Sequence, residues 1–385
     1  MAARYKILHL ITRLDLGGAQ GNTLYTARHL DAARFETVLA AGPGGILDAE
    51  ASSVAPPRTI FLPDLVREAS PLKDLAALRS LTRLFRSERP DLVHTHSSKA
   101  GVLGRVAGRL AGVPAIVHTY HGFGFHDRMS APLRWFYSRV EAACRGLADR
   151  TVFVSRANIG YALRHGLVRP GSEVLIRSGI KLSDYPARAD KDAALASVGL
   201  AGKRLLVPSV GNLKPQKNPE AFLDMARDLA PEFPDAGFLF VGDGPLRGRL
   251  EARIKAAGLS GSVALPGWRR DTAALLAASD AFVLTSLWEG LPRALLEAMA
   301  TGLPCVCHAV DGVTDVLRDG ENGFLVPPGD AAGLARRVRE VLADPGLRAS
   351  LGEAARLALP EEFGIDRMVR RQEELYLELL DARLP

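Results

Sequence analysis

Two glutamates, Glu289 and Glu297, frame the stretch of this chain whose residue types are best suited to chemistry. Between them lie Gly290, Leu291 and Pro292, then Arg293-Ala294-Leu295-Leu296. The apolar run at 280–284 reads as a buried strand of a parallel sheet. Pro292 marks the start of a helix, because a proline there has no N–H bond to lose. One carboxylate therefore precedes a helix N-terminus and the other lies inside the helix. A helix N-terminus holds an anion such as phosphate through its free N–H groups and its dipole. Carboxylates repel phosphate, so beside one their natural partners are hydroxyls. A ligand with a phosphate centre and hydroxyls on both sides is a nucleotide-sugar. A plainer reading stands beside this one. Ser286-x-x-Glu289 also fits a capping box, with the glutamate reaching back to the cap N–H, and Glu297 fits a solvated helix position.

The remaining chain must position these groups, and its composition bounds how. At 385 residues it exceeds the usual single core, so two domains are expected. Hydrophobic content of 47% with 24% charged residues fits a soluble globular protein. No apolar run approaches the roughly 18 residues that a membrane span needs. The run at 7–11 is broken by His9 and is too short for a signal peptide. A cytoplasmic protein is expected, with Cys144, Cys305 and Cys307 as inert buried thiols. No metal is expected, because the cysteines and histidines lack the paired spacing of a ligand set. Asp190-Lys191-Asp192 opens a charged helix, where capping explains it better than metal–diphosphate binding.

Charge is unevenly spread. Residues 1–200 carry 27 Lys and Arg against 17 Asp and Glu, and residues 201–385 carry 22 against 26. The basic front half suits something anionic. Nucleic acid is not expected, since no Lys/Arg cluster is interleaved with stacking aromatics. A phosphate-bearing substrate or an anionic membrane surface fits better.

In chain order, a strand at 5–11 runs into Gly17-Gly18-Ala19-Gln20 and a helix near 22–30, the opening of a doubly wound α/β domain. Gly17 and Gly18 let backbone approach a ligand, although the pattern is not a dinucleotide fingerprint. Strands ending at His96 and His121 place imidazoles on the sheet's carboxyl edge, with Lys99 and His126 nearby. A helix over 130–147 carries a stripe of Leu133, Phe136, Tyr137, Val140, Cys144 and Leu147, expected to be buried. Arg134, Trp135 and Arg139 then fall off that stripe, as in a lipid-headgroup interface. A polar linker spans 183–203. The second domain opens at 205–211, and its turn carries Asn212, Lys214 and Lys217 ahead of a helix, a grip for phosphate. Further turns at Gly242 and Gly267-Trp268 lie on the same edge. A last amphipathic helix near 366–380 is long enough to cross back onto the first domain.

Together these landmarks resemble the family 4 retaining glycosyltransferases of the GT-B fold over nearly the whole chain. The E-x7-E signature stands as EGLPRALLEAMATGLP from Glu289, and Gly17-Gly18-Ala19-Gln20, Lys217 and the 312–328 segment fall where the family has its markers. The resemblance implies an α/β fold of two Rossmann-like doubly wound domains facing across a cleft: residues 1–182 with helix 363–385 on the acceptor side, and 204–362 on the donor side. It implies that Lys217 and the N–H groups of Gly290 and Leu291 hold the donor diphosphate, that Glu297 binds ribose and Glu289 the transferred sugar. Gly18 would lie against the diphosphate, and His121 beside the reacting sugar. Asn212, Lys214, Gly242, Gly267 and Trp268 complete the expected donor side; His96, Lys99, His126, Arg134, Trp135 and Arg139 form the expected acceptor or membrane side. Asn212 stands where the family has an arginine, with Lys214 two residues on, and Asp315 stands where a glutamate is usual.

The segments 94–101 and 118–123 are similar to members that build bacterial surface polysaccharides, whose acceptors are polyprenyl-diphosphate-linked sugars at the cytoplasmic face of the membrane. The resemblance thus implies a UDP-linked donor, a saccharide acceptor, retention of configuration, and no metal or cofactor, the nucleotide-sugar being a co-substrate. A nucleotide-sugar epimerase of the same fold and a non-catalytic nucleotide-sugar-binding partner remain open at this point.

Overall fold

The computed structural model describes residues 4–126, 129–186 and 188–382. The chain folds as two compact units: the segment up to Gly179 together with the residues from Ile365 onward, and Ile180–Gly364.

The first unit is built on seven parallel strands: β1 (Tyr5–Arg13), β2 (Phe35–Gly42), β3 (Arg58–Phe61), β4 (Leu92–His96), β5 (Ala115–Tyr120), β6 (Arg150–Phe153) and β7 (Glu173–Leu175). Their order is β3-β2-β1-β4-β5-β6-β7. The order reverses between β1 and β4, and ligands of doubly wound sheets bind at the carboxyl ends of the strands at such a switch point. Residues 7–11 are buried without a break because helices cover both faces of the sheet. Leu8, Leu10, Val93 and Ile116 point to one face, packed against helices Pro71–Glu88 and Ser98–Ala111. Ile7, Leu92, Val117 and Val152 point to the other, under Met368, Val369, Leu375 and Tyr376 of the terminal helix Ile365–Asp381. Each such fully buried aliphatic side chain contributes roughly 1.5–3 kcal/mol.

One helix faces differently from the reading of its sequence. In Ala131–Cys144 it is Glu141 and Cys144 that are buried, while Leu133, Trp135 and Phe136 are exposed. The reason is a buried ion pair. Glu141 accepts from the Arg105 guanidinium at 2.5 Å and from the Tyr120 hydroxyl at 2.7 Å. Arg105 is 1% exposed, so losing its carboxylate would strand a charge in the core. Satisfying it fixes the rotation of the helix and turns Leu133 and Phe136 outward.

The second unit holds two parallel triplets rather than one continuous sheet: β8 (Leu205–Val210), β9 (Ala236–Val241) and β10 (Val263–Gly267), then β11 (Phe282–Leu284), β12 (Cys305–His308) and β13 (Phe324–Val326). Asp280 joins them: its N–H donates to Leu206 O and its carboxylate accepts from Leu206 N–H, both at 2.8 Å. Cys305 and Cys307 lie buried in β12 and Cys144 is also buried, all three free. Residues 183–203 are not a free linker. Asp190 caps the helix Lys191–Ser197 through Ala193 N–H, and Leu195, Val198 and Leu200 pack with Leu206 and Leu239.

Candidate active site

In the second unit the candidate residues gather at the carboxyl ends of β8–β11. The turn after β8 is welded to the one after β11. Thr285 Oγ donates to the carbonyls of Lys217 and Asn218 at 2.9 Å each, and Leu287 N–H donates to Gln216 O at 2.8 Å. The Gln216 amide reaches Trp288 O at 3.1 Å. The Lys217 stem lies over Gly211, where a Cβ would come within 3.1 Å of it. Lys217 Nζ is thereby brought onto Glu289 Oε1. Ser286 Oγ donates to that same oxygen at 2.6 Å, and Glu289 N–H donates to Asp311 Oδ2 at 3.1 Å.

This corrects the capping-box alternative. Helix Arg293–Ala300 begins after Pro292 with no side-chain cap, and Ser286 instead orients the Glu289 carboxylate. The uncapped start follows Gly290 and Leu291, both buried. Their loop is pinned by a close approach: a Cβ on Gly312 would sit 1.8 Å from Gly290 O. A lysine beside an uncapped helix N-terminus is an anion cradle. Among the described residues both hydrogen bonds to the Glu289 carboxylate fall on Oε1, which leaves Oε2 able to accept a further donor. Glu297, one helical turn in, faces Arg293 at 3.4 Å and interacts electrostatically with the Tyr185 phenol. Burial and the Glu297 carboxylate hold that phenol protonated by raising its pKa.

The remaining donor-side candidates cluster at the β8–β10 ends. Gly242 N–H donates to Gly267 O at 2.9 Å, and Gly242, at φ +140°, leaves no room for a Cβ against Gly211 O. Trp268 packs beside Gly242 and is partly exposed. Asn212 and Lys214 are half-buried in the turn that follows Gly211. Sequence reasoning missed Tyr185, Arg293, Asp311 and His308, whose Nδ1 lies 3.3 Å from Ser286 O. Tyr185 gave no signal, since it comes from a segment read as linker.

In the first unit the sequence singled out His96 and His121, and the fold adds three more imidazoles. Register sets His9 of β1 opposite His94 of β4 and Thr95 opposite His118 of β5. His9 Nδ1 lies 3.1 Å from His96 Nε2, and His96 Nδ1 lies 3.2 Å from His121 Nε2. His94 is held by the Tyr376 hydroxyl at 2.5 Å and by Thr119 Oγ at 2.7 Å. Burial pushes all five below the ordinary imidazole range, His9 to about 3 and His121 to about 4. They are neutral at physiological pH. The ring nitrogens of His9, His94 and His96 fall within 4.8 Å of one another, close enough for a metal ion. Both nitrogens of His94 are already hydrogen-bonded, however, which makes the group a hydrogen-bonded network. His96 and His121 border a small cavity with Asn22, whose buried amide has no partner among the described residues and leaves a polar demand there.

The other first-unit candidates are dispersed. Gly17 precedes helix Gly18–His29, which starts four residues earlier than expected, and the Gln20 side chain folds back against Gly17. Lys99 is neutralised by Asp74 at 2.6 Å. His126 sits in the loop after β5, where Met129 N–H bonds its carbonyl. Arg134 is half-buried, and Trp135 and Arg139 are exposed.

Two units of parallel sheet, each with its candidate residues at the strands' carboxyl ends, make the GT-B architecture of glycosyltransferases. The structure resembles that of HepE from Anabaena in complex with UDP and glucose (TM-score 0.83, 21% identity, 97% of this chain and 100% of that one). It resembles equally a sucrose-phosphate synthase of Thermosynechococcus elongatus (TM-score 0.84, 23% identity, 98% and 100%). In sequence, the Glycosyl transferase 4-like domain profile matches residues 17–179 and the Glycosyl transferases group 1 profile matches 190–358. A UDP-Gal:alpha-D-GlcNAc-diphosphoundecaprenol alpha-1,3-galactosyltransferase of Escherichia coli is 33% identical over 98% of each chain. A 2-deoxystreptamine glucosyltransferase of Streptomyces kanamyceticus is 32% identical over 75% of this chain and 78% of its own. The chain belongs to the group 1 glycosyl transferase family. The epimerase and non-catalytic readings are not favoured by these relatives.

Proposed function

We propose that this glycosyltransferase moves a hexose from a UDP-linked donor to a lipid-linked saccharide with retention of configuration. The observation that carries the donor half is the Ser286–Glu289–Lys217 cluster set against the uncapped helix at Arg293. Lys217 and the Gly290 and Leu291 N–H groups hold the diphosphate, Glu297 takes the ribose hydroxyls, and Glu289 Oε2 takes a hydroxyl of the sugar. In the transfer, the bond from the anomeric carbon to the diphosphate oxygen breaks. A bond to the acceptor oxygen forms on the same face, and the acceptor proton passes to the departing diphosphate. The site's contribution is alignment and charge stabilisation by groups already in place, without a metal. The acceptor half is supported by the galactosyltransferase relative, whose acceptor is a diphosphoundecaprenol-linked sugar.

Glu297→Ala is expected to weaken UDP binding by about tenfold or more, the loss of hydrogen bonds to a charged group. Calorimetry reads this directly, and unchanged affinity would remove Glu297 from the ribose site.

A lipid-linked acceptor requires approach to a membrane surface. No helix among the described residues is long and apolar enough to cross one. Exposed Leu133, Trp135 and Phe136 beside Arg134 and Arg139 suit peripheral contact with anionic lipid at the cytoplasmic face. Sedimentation with phosphatidylglycerol vesicles is expected to drop in Trp135→Ser/Phe136→Ser. Equal sedimentation would place membrane contact elsewhere.

A further inference from the structure

We propose that His9 and His96 are positioning residues that fix the tautomer of His121, leaving its proton on Nδ1, so that His121 meets the reacting sugar as a hydrogen-bond donor. The inference rests on the proposed role of His121 at that sugar.

The argument is one of donors and acceptors along three rings. A neutral imidazole carries one N–H and one bare nitrogen. His9, His96 and His121 are joined by two contacts, His9 Nδ1 to His96 Nε2 and His96 Nδ1 to His121 Nε2. Each contact needs one proton, so the two are locked in the same sense. Only two arrangements satisfy both. In the first, His9 Nδ1–H donates to His96, His96 Nδ1–H donates to His121 Nε2, and the His121 proton sits on Nδ1. In the second every proton is reversed, and His9 must carry its proton on Nε2.

His9 Nε2 decides between them. It is buried and has no partner among the described residues. The second arrangement would bury an N–H with no acceptor, whereas the first buries only a lone pair. Orphaned buried N–H groups are the rarer of the two in proteins. The same molecule supplies an internal precedent. His118 Nδ1 lies 2.9 Å from Thr95 Oγ1, whose own proton goes to the Val117 carbonyl at 3.3 Å, and 3.2 Å from the Thr95 carbonyl, so a proton on Nδ1 finds two acceptors there. His118 Nε2 is then bare, buried and unpartnered, as the first arrangement requires of His9 Nε2. His94 does not disturb the chain. Tyr376 donates to Gln372 Oε1 at 3.1 Å, so its oxygen accepts from His94 Nδ1–H, while Thr119 donates to His94 Nε2. At metal-ligating histidines, loss of the outer partner that orients the imidazole typically costs about 10- to 100-fold in affinity or activity, and a loss of that order is expected here.

The test uses the full chain labelled with 15N-histidine. Long-range 1H–15N correlation should show His121 protonated at Nδ1 and bare at Nε2, its signals assigned by their loss in His121→Ala. His9→Leu removes the donor to His96 and is expected to move the His121 proton toward Nε2. It should lower kcat about tenfold or more while the donor KM stays within about twofold. His9→Asn, whose amide N–H can donate to His96 Nε2, is expected to restore both tautomer and kcat. A His121 proton on Nε2 in the unaltered protein would overturn the inference. So would a His9→Leu variant that folds and keeps both the tautomer and kcat. If instead His121→Ala transfers sugar at the original rate, it is the reading of His121 at the sugar that falls, whatever the tautomer.

Discussion

Lys217→Ala is expected to slow sugar transfer by about 10²- to 10³-fold, the loss typical when one preorganised charge-stabilising donor is removed. The leaving diphosphate gains negative charge as the glycosidic bond breaks. In the proposed site that charge develops beside Lys217, which is held by the bond from Thr285 to its own carbonyl and by Glu289. UDP affinity should fall too, since the proposed contact of this lysine with the diphosphate is also made in the bound state, and calorimetry together with a transfer assay separates the two. Lys217→Arg keeps the charge but replaces a slender stem packed over Gly211 by a planar fork, and an intermediate rate is expected. Glu289 is 8% exposed, so removing its cation leaves a largely buried carboxylate bonded by Ser286 alone. A lower melting temperature is therefore expected for Lys217→Ala, with recovery in Lys217→Ala/Glu289→Gln, but no recovery of transfer. If Lys217→Ala keeps both rate and UDP affinity, the diphosphate is held by another group of the 211–218 turn, and Lys214 becomes the candidate.

The stretch from Ser286 to Ala300 was legible because its signals are local. A strand, a glycine turn, a proline and two glutamates at fixed spacing predict a helix start with carboxylates around it, and the fold shows that. What the local pattern misjudged was the use of Ser286. A serine three residues before a glutamate describes a cap when only neighbours are counted. Here Lys217, 72 residues away in sequence, competes for the same carboxylate. The helix Ala131–Cys144 failed for a related reason. Its apolar stripe predicted a buried face, but periodicity cannot see Arg105 waiting in the core for Glu141. Tyr185 was invisible because its meaning comes only from Glu297, more than 100 residues on. The histidine network was half legible. His94 and His96 alternate along β4 and so share one face of the strand, a sign that His94 belonged with its neighbour. That His9 would join them depends on β1 lying beside β4, a register that only the folded sheet supplies.

The same network makes a prediction about acid. His9, His94, His96 and His118 are buried and held neutral, with desolvation as the first cause in each; nearby Arg105 adds to the effect at His118, and neighbouring imidazoles add to it at His94, His96 and His118. In the unfolded chain each returns to the ordinary value of about 6.5. The folded state therefore resists a proton that the unfolded state accepts, so stability rises with pH across the interval between the two values. Above about pH 6.5 neither state is protonated and nothing is lost. Below it each histidine costs the fold about 1.4 kcal/mol per pH unit, until its own folded value is reached. For His9 that lower limit is about 3. By pH 5 the loss for His9 is about 2 kcal/mol, and His94, His96 and His118 add losses of the same sign, against roughly 5–15 kcal/mol for the whole stability of an ordinary domain. Thermal melts of the full chain should thus fall steeply between pH 6.5 and 5, above the range where most carboxylates titrate. With the proposed nucleotide site in the second unit, UDP binding should persist at a pH where the first unit has begun to melt. His118→Leu, which removes one buried imidazole and its orphaned Nε2, is expected to flatten the fall. A melting temperature that stays level from pH 7.5 to 5 would mean that these imidazoles take up protons without unfolding, and that the network is not closed to water.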